Sequence, residues 1–172
     1  MNTLKIKQID ISPQFISDYV TLSAANTYTE KQINLPINPG ATVSGGHVRV
    51  MEFLKVFADF ATDTIAEDAY VAFQLTYKTQ ADLLSGPDVS KWIYKMQRRQ
   101  QVAGAAGAFI SESPFVADLT DGNGNGILIG QQAIFLGAKS AGQTAALTAS
   151  FKILYRFKDV PIEEYIGMVS GN

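Results

Sequence analysis

Near its carboxyl end the chain alternates. Leu147, Ala149, Phe151, Ile153, Tyr155 and Phe157 fall on one parity, and Thr148, Ser150, Lys152, Arg156 and Lys158 on the other, with Leu154 the exception. Successive strand side chains point to opposite faces, so this pattern predicts a long half-buried strand. Between residues 47 and 63, Val48, Val50, Leu54, Val56, Ala58 and Phe60 give a similar face. Met51, Phe53 and Phe57 make the other parity partly apolar, which predicts a strand covered on both sides over part of its length. Val71, Phe73, Leu75 and Tyr77 alternate with Ala72, Gln74 and Thr76, and Trp92, Tyr94 and Met96 alternate with Lys91, Ile93, Lys95 and Gln97. Further extended segments are predicted over 27–37, over 108–119 around Pro114, and over 127–138 with an irregularity at Gly130.

These seven or eight strands are separated by Asn38-Pro39-Gly40, Ser44-Gly45-Gly46, Ser85-Gly86-Pro87-Asp88, Asp121-Gly122-Asn123-Gly124-Asn125-Gly126 and Ala141-Gly142-Gln143. All are rich in residues that tolerate turn dihedrals, and such spacing favours an all-β sandwich or barrel over alternating strands and helices. Two short helices are predicted. One is capped by Ser12, starts at Pro13, and carries Phe15, Ile16, Tyr19 and Val20 on one side; the other follows Pro161 over 162–169. Residues 102–108, VAGAAGA, read as a loop, and no fixed-period repeat is present.

Composition narrows the chemistry. The 172 residues suit one domain with a full core. There is no cysteine and one histidine, His47, which removes disulfide scaffolds, thiolate zinc sites, cysteine nucleophiles and histidine clusters. Fourteen Lys and Arg against sixteen Asp and Glu argue against a surface given over wholly to polyanions. The start, MNTLKIKQIDIS, resembles neither a signal nor a transit peptide, and apolar runs such as Ile134-Phe135-Leu136 fall far short of a membrane-spanning helix. The expectation is a soluble chain without a membrane partner.

Several blocks point further: Val50-Met51-Glu52-Phe53-Leu54-Lys55-Val56 after Gly45-Gly46, the run from Asp118 through DGNGNG to Ile129, Phe151 to Val160, and Glu164 to Val169. Together they resemble the capsid proteins of small circular Rep-encoding single-stranded DNA viruses, from about Thr27 onward. The resemblance implies a single jelly roll, an eight-stranded antiparallel β-sandwich with short terminal arms, whose copies close into an icosahedral shell. The division it implies is an amino-terminal arm or interface segment over 1–26, the jelly roll over 27–160, and a carboxyl-terminal tail over 161–172 docked at an interface.

The chain departs from many such proteins in lacking an arginine-rich arm: only Lys5 and Lys7 precede Ile9. Cationic neutralisation of phosphates supplies most nonspecific nucleic-acid affinity, so packaging is expected to be weak or to use another patch. Lys95, Arg98 and Arg99, beside Trp92 and Tyr94, form the one dense basic cluster, with the aromatics as candidate base platforms. The alternative is that these rings are core residues and the cations a solvated strand end.

Asp121, Asn123 and Asn125, with Gly126 sixth, match the oxygen spacing at the start of a calcium loop, but the twelfth place is Gln132 where a bidentate Glu is needed. A structural turn uses the same residues. Calcium is therefore a possible ligand and no other cofactor is expected. Glu163, Glu164, Asp59, Asp63, Glu67 and Asp68 do not make the opposed carboxylate pair of a glycosidase, and no nucleophile elbow or phosphate loop is present. No enzymatic activity is expected. The apolar tail residues Ile162, Tyr165, Ile166 and Met168, with Phe53 and Phe57, are candidate subunit-interface residues, and Leu4, Ile6, Ile9 and Ile11 alternate like a strand that adds to a sheet edge.

The leading expectation is a coat subunit of a virion, assembled in a host cell. It forms a homo-oligomeric shell of about sixty copies around a single-stranded genome. The alternative is a jelly-roll carbohydrate- or receptor-binding module, for which Tyr28, Tyr70 and Tyr94 would supply exposed aromatics.

Overall fold

The long alternating run near the carboxyl end is the spine of the fold. A computed structural model describes residues 12–38, 42–43, 45–61, 69–84, 91–99 and 115–170. Among them the strands are β1 (Gln14–Thr21), β2 (Tyr28–Asn34), β3 (Thr42–Val43), β4 (His47–Phe60), β5 (Tyr70–Thr76), β6 (Trp92–Arg99), β7 (Phe115–Asp118), β8 (Ile127–Ile129), β9 (Ala133–Ala141) and β10 (Thr148–Pro161). One helix, α1 (Ile162–Ser170), follows β10.

The first sheet runs β1-β10-β4-β3, with β7 and β8 also paired to β4; the second runs β2-β9-β5-β6. All pairings are antiparallel. β7 and β8 are two halves of one interrupted strand on β4. Counted so, and leaving aside two-residue β3, each sheet has four strands. The chain changes sheet at each step except between β5 and β6, which is jelly-roll connectivity. Between the sheets lie Phe53, Phe73, Leu75, Ile134, Leu136, Phe151 and Ile153, all at most 3% exposed. The alternating residues Ala149, Phe151, Ile153 and Tyr155 fill the inner face of β10 as the pattern predicts.

The two-sided apolar pattern of β4 has a specific cause. Leu154 pairs with Lys55 and Tyr155 with Phe53, so Leu54 is an extra residue, a β-bulge. A one-residue slip exchanges faces. Met51 and Phe53 therefore point into the core before the bulge, and Val56, Ala58 and Phe60 after it. Val48, Val50 and Val160 are buried on the opposite side, outside the main core cluster, at the end of the sheet against which α1 lies.

Three expectations are corrected. Residues from Pro13 form strand β1 and not a helix, because eight residues, Gln14 to Thr21, pair with Tyr155 to Thr148 of β10. That ladder outweighs the local cap signal of Ser12 and Pro13. The jelly roll consequently begins inside the segment read as an arm. The strand over 127–138 is broken into β8 and β9 at Gly130, where a Cβ would come within 3.1 Å of the Tyr165 ring of α1. The helix after Pro161 is present as α1, and of residues 108–119 only β7 is strand among the described residues. Residues 102–108 and the amino-terminal alternation from Leu4 to Ile11 lie outside the described residues.

Candidate functional site

The bulge in β4 organises the first polar site. Glu52, with no exposed surface, stands next to the bulge on the face away from the core. Its carboxylate takes an ion pair from Arg156, a hydrogen bond from the Gly126 amide at 3.1 Å, and a second ammonium, Lys158, at 3.4 Å. Burial works against ionisation here, but these donors outweigh it and hold the carboxyl below the usual carboxylate range. Arg156 also donates to the Gly124 carbonyl at 3.3 Å, and the Leu119 amide donates to the carbonyl of bulged Leu54. The DGNGNG excursion between β7 and β8 is thus pinned to β4 and β10. A Cβ on Gly126 would lie 2.1 Å from the Phe53 carbonyl oxygen, so only glycine allows this approach. The sequence blocks around Glu52, Asp121 and Arg156 meet here.

Within that loop Asp121 accepts the Asn123 and Asn125 amides at 3.0 and 2.9 Å and the Asn125 side-chain amide. Donors of this kind, chiefly Asn125, lower its pKa. The three residues proposed as calcium ligands form a self-satisfied turn, with the Asp121 oxygens already taken. Among the described residues no group of three or more His, Asp or Glu side chains converges as a metal site.

The basic cluster divides. Strand alternation sends Lys95 and Arg98 of β6 to opposite faces. Lys95 donates to the Leu84 carbonyl and lies 5.1 Å from the Trp92 ring centroid. Tyr94 packs 5.5 Å from Phe73 and 6.4 Å from Phe115, and burial pushes its hydroxyl up to about 12. Tyr94 is thus a packing residue and not an open base platform, because its inward parity places it against both aromatic neighbours. Lys5, Lys7 and the side chain of Arg99 lie outside the described residues.

The aromatics expected of a sugar-binding face are likewise engaged. Tyr28 is half-buried across Gly137, donates to Glu30 at 2.9 Å and accepts from Gln74 at 3.2 Å; burial raises its pKa. Buried Gln74 also binds the Asp82 carbonyl and the Leu84 amide, while Lys139 pairs with Asp82. Residues 77–84 are thereby clamped over the outer face of the second sheet. Tyr70 is half-buried.

Of the interface candidates, Phe53 is corrected: it is wholly buried inside the subunit, because the bulge turns it inward. Phe57, past the bulge, points outward and sits 6.3 Å from Phe15 of β1. These rings line a cleft of about 840 Å³ on the first sheet, with Ser17, Tyr19, Asp59 and Lys152. The Lys152 ammonium lies 4.0 Å from the Phe15 centroid, and Lys31 pairs with Asp18 at the rim. Phe15 and Tyr19 are more than half exposed, as is Ile166 of α1. Ile162 and Val169 are partly exposed too, while Tyr165 and Met168 are half-buried. Sequence reading missed Phe15 and Tyr19 as surface residues. The signal is their shared parity with Ser17, which becomes visible once β1 is read as a strand.

No protein-family model matches the chain, and no curated protein sequence matches it. Solved structures do. VP1 of New Jersey polyomavirus aligns with a TM-score of 0.55 at 10% identity, covering 87% of this chain and 100% of that one. VP1 of Trichodysplasia spinulosa-associated polyomavirus, in complex with GM1 oligosaccharide, gives 0.58 at 12% identity over 87% and 96%. An unassembled VP1 pentamer of Merkel cell polyomavirus gives 0.53 at 11% identity over the same shares. The fold is the jelly roll that these VP1 proteins share. At these identities the likeness is one of architecture.

Proposed function

We propose that this chain is a viral coat protein, a subunit that self-assembles into a closed shell. The observation that carries the reading is the shared jelly roll, which spans 87% of this chain and nearly the whole of several polyomavirus VP1 capsid proteins. One of those proteins forms a pentamer, which supports homo-oligomeric assembly. The narrower assignment, a small icosahedral shell around a single-stranded DNA genome, is supported by the resemblance of the blocks that converge on β4. In this reading the protein resides in the virion, its function is structural, and its working parts are surfaces. Genome contact in this reading is made by Arg98, Arg99 and Lys5 and Lys7, whose cations would neutralise phosphate.

Light scattering and negative-stain microscopy of the purified chain, before and after nuclease treatment, test the proposal. A uniform particle near ~1.1 MDa is expected, corresponding to about sixty copies. A chain that stays monomeric or trimeric at every salt and protein concentration would overturn it and favour a recognition module.

A further inference from the structure

In the DGNGNG loop Asp121, Asn123 and Asn125 each stand directly before a glycine. A glycine nitrogen, with no side chain beside it, can reach the side-chain carbonyl carbon of the preceding residue and close a five-membered ring. Closure needs a following amide that is not hydrogen-bonded, a side chain that is not held, and room for the backbone to turn. The structure separates the three positions on these grounds. We propose that Asn123 is a modification site, at which the folded chain deamidates to isoaspartate and aspartate while Asn125, two residues away, is protected.

Asn123 meets every requirement. It and Gly124 are exposed, and among the described residues neither the Asn123 side chain nor the Gly124 amide makes a hydrogen bond. Gly124 has open space where a Cβ would stand. Its carbonyl is held by Arg156 at 3.3 Å, but that group is not part of the ring. Asn125 fails each requirement: its side-chain amide donates to Asp121 at 3.2 Å, the Gly126 amide donates to buried Glu52 at 3.1 Å, and Gly126 is pressed against the Phe53 carbonyl. At Asp121 the group attacked would be a carboxylate, a poor electrophile, already accepting the Asn123 and Asn125 amides. In the reaction the Gly124 nitrogen loses its proton and bonds to Asn123 Cγ; the Cγ–Nδ2 bond breaks, and the amide nitrogen takes the proton and leaves as ammonia. Water then opens the ring at Cγ, giving aspartate, or at the main-chain carbonyl of residue 123, giving isoaspartate. The new carboxylate takes the formal net charge from −2 to −3. The anchors of the loop, Gly126 on Glu52 and Leu119 on Leu54, lie outside the altered peptide, so the fold is kept while the loop tip becomes more acidic with age.

To test this, the purified chain is incubated at mildly alkaline pH, folded and in urea, and its peptides are followed over time by mass spectrometry. Electron-transfer fragmentation tells residue 123 from residue 125 and isoaspartate from aspartate. In the folded chain, conversion at Asn123 should exceed that at Asn125 by about tenfold or more, the factor set by breaking one hydrogen bond to a charged acceptor. In urea the two rates should converge. Asn123→Gln, whose longer side chain closes a ring far less readily, should lose the conversion seen in the folded chain, with circular dichroism checking that the variant folds. Equal conversion at the two asparagines in the folded chain overturns the proposal. So does a folded chain in which Asn123 stays intact under conditions that convert it in urea.

Discussion

Glu52 carries more of the local structure than its neighbours because it has no water to fall back on. Its partners Arg156 and Lys158 remain partly exposed and keep some solvation when the carboxylate is removed. The Gly126 amide, held against the Phe53 carbonyl, has less freedom to find another acceptor. Glu52→Gln should therefore destabilise the fold by about 2 kcal/mol, the cost of losing hydrogen bonds to a charged group. The folded carboxyl titrates below its unfolded value, so its stabilisation is complete above about pH 4.3, the ordinary glutamate value, and is lost as pH falls through the folded value. Urea unfolding of wild type and variant should show the full gap at about pH 7 and a narrowing gap below about pH 4. A gap independent of pH would mean that Glu52 acts by shape alone.

Among the elements, β9 and β2 are locked by a contact between a glycine and a ring. A Cβ on Gly137 would lie 2.2 Å from the Tyr28 hydroxyl, so Gly137→Ala forces the ring away and disturbs Gln74, Glu30 and the segment over them. The expected cost is about 1–3 kcal/mol, as for an overpacked site. In a Tyr28→Ala background the same change should cost little, and thermal denaturation of the four proteins of the cycle measures that coupling. Legibility in sequence follows the same logic of contacts. β10 could be read because every inward residue from Ala149 to Tyr155 keeps one parity. β4 could be located but not oriented, since a bulge at Leu54 leaves no mark except apolar residues on both parities. β1 was hidden because Ser12 and Pro13 satisfy local helix rules, while the ladder that overrides them lies more than a hundred residues away. The exposed cleft followed β1 into obscurity, since Phe15 and Phe57 become neighbours only through that ladder. The Asp121 loop was visible as a turn, but its anchor on Glu52 required the pairing of β4 with β8.

For the whole molecule the question is which force drives association. The exposed large apolar side chains include Phe15, Tyr19, Ile162 and Ile166, and the formal net charge of −2 gives weak repulsion between copies. Burial of apolar surface is driven near room temperature by solvent entropy, so it strengthens on warming, whereas an exposed ion pair between copies contributes little and is screened by salt. Assembly followed by light scattering should therefore be stronger at about 25 °C than at about 4 °C. It should also change little between about 50 mM and about 500 mM salt, conditions across which exposed charge pairs are progressively screened. Assembly through bound nucleic acid would behave oppositely, falling steeply as counterions compete for phosphate. A steep loss of particles with salt, restored by added single-stranded DNA, would move the driving force from apolar burial to the cations of β6 and the amino-terminal lysines.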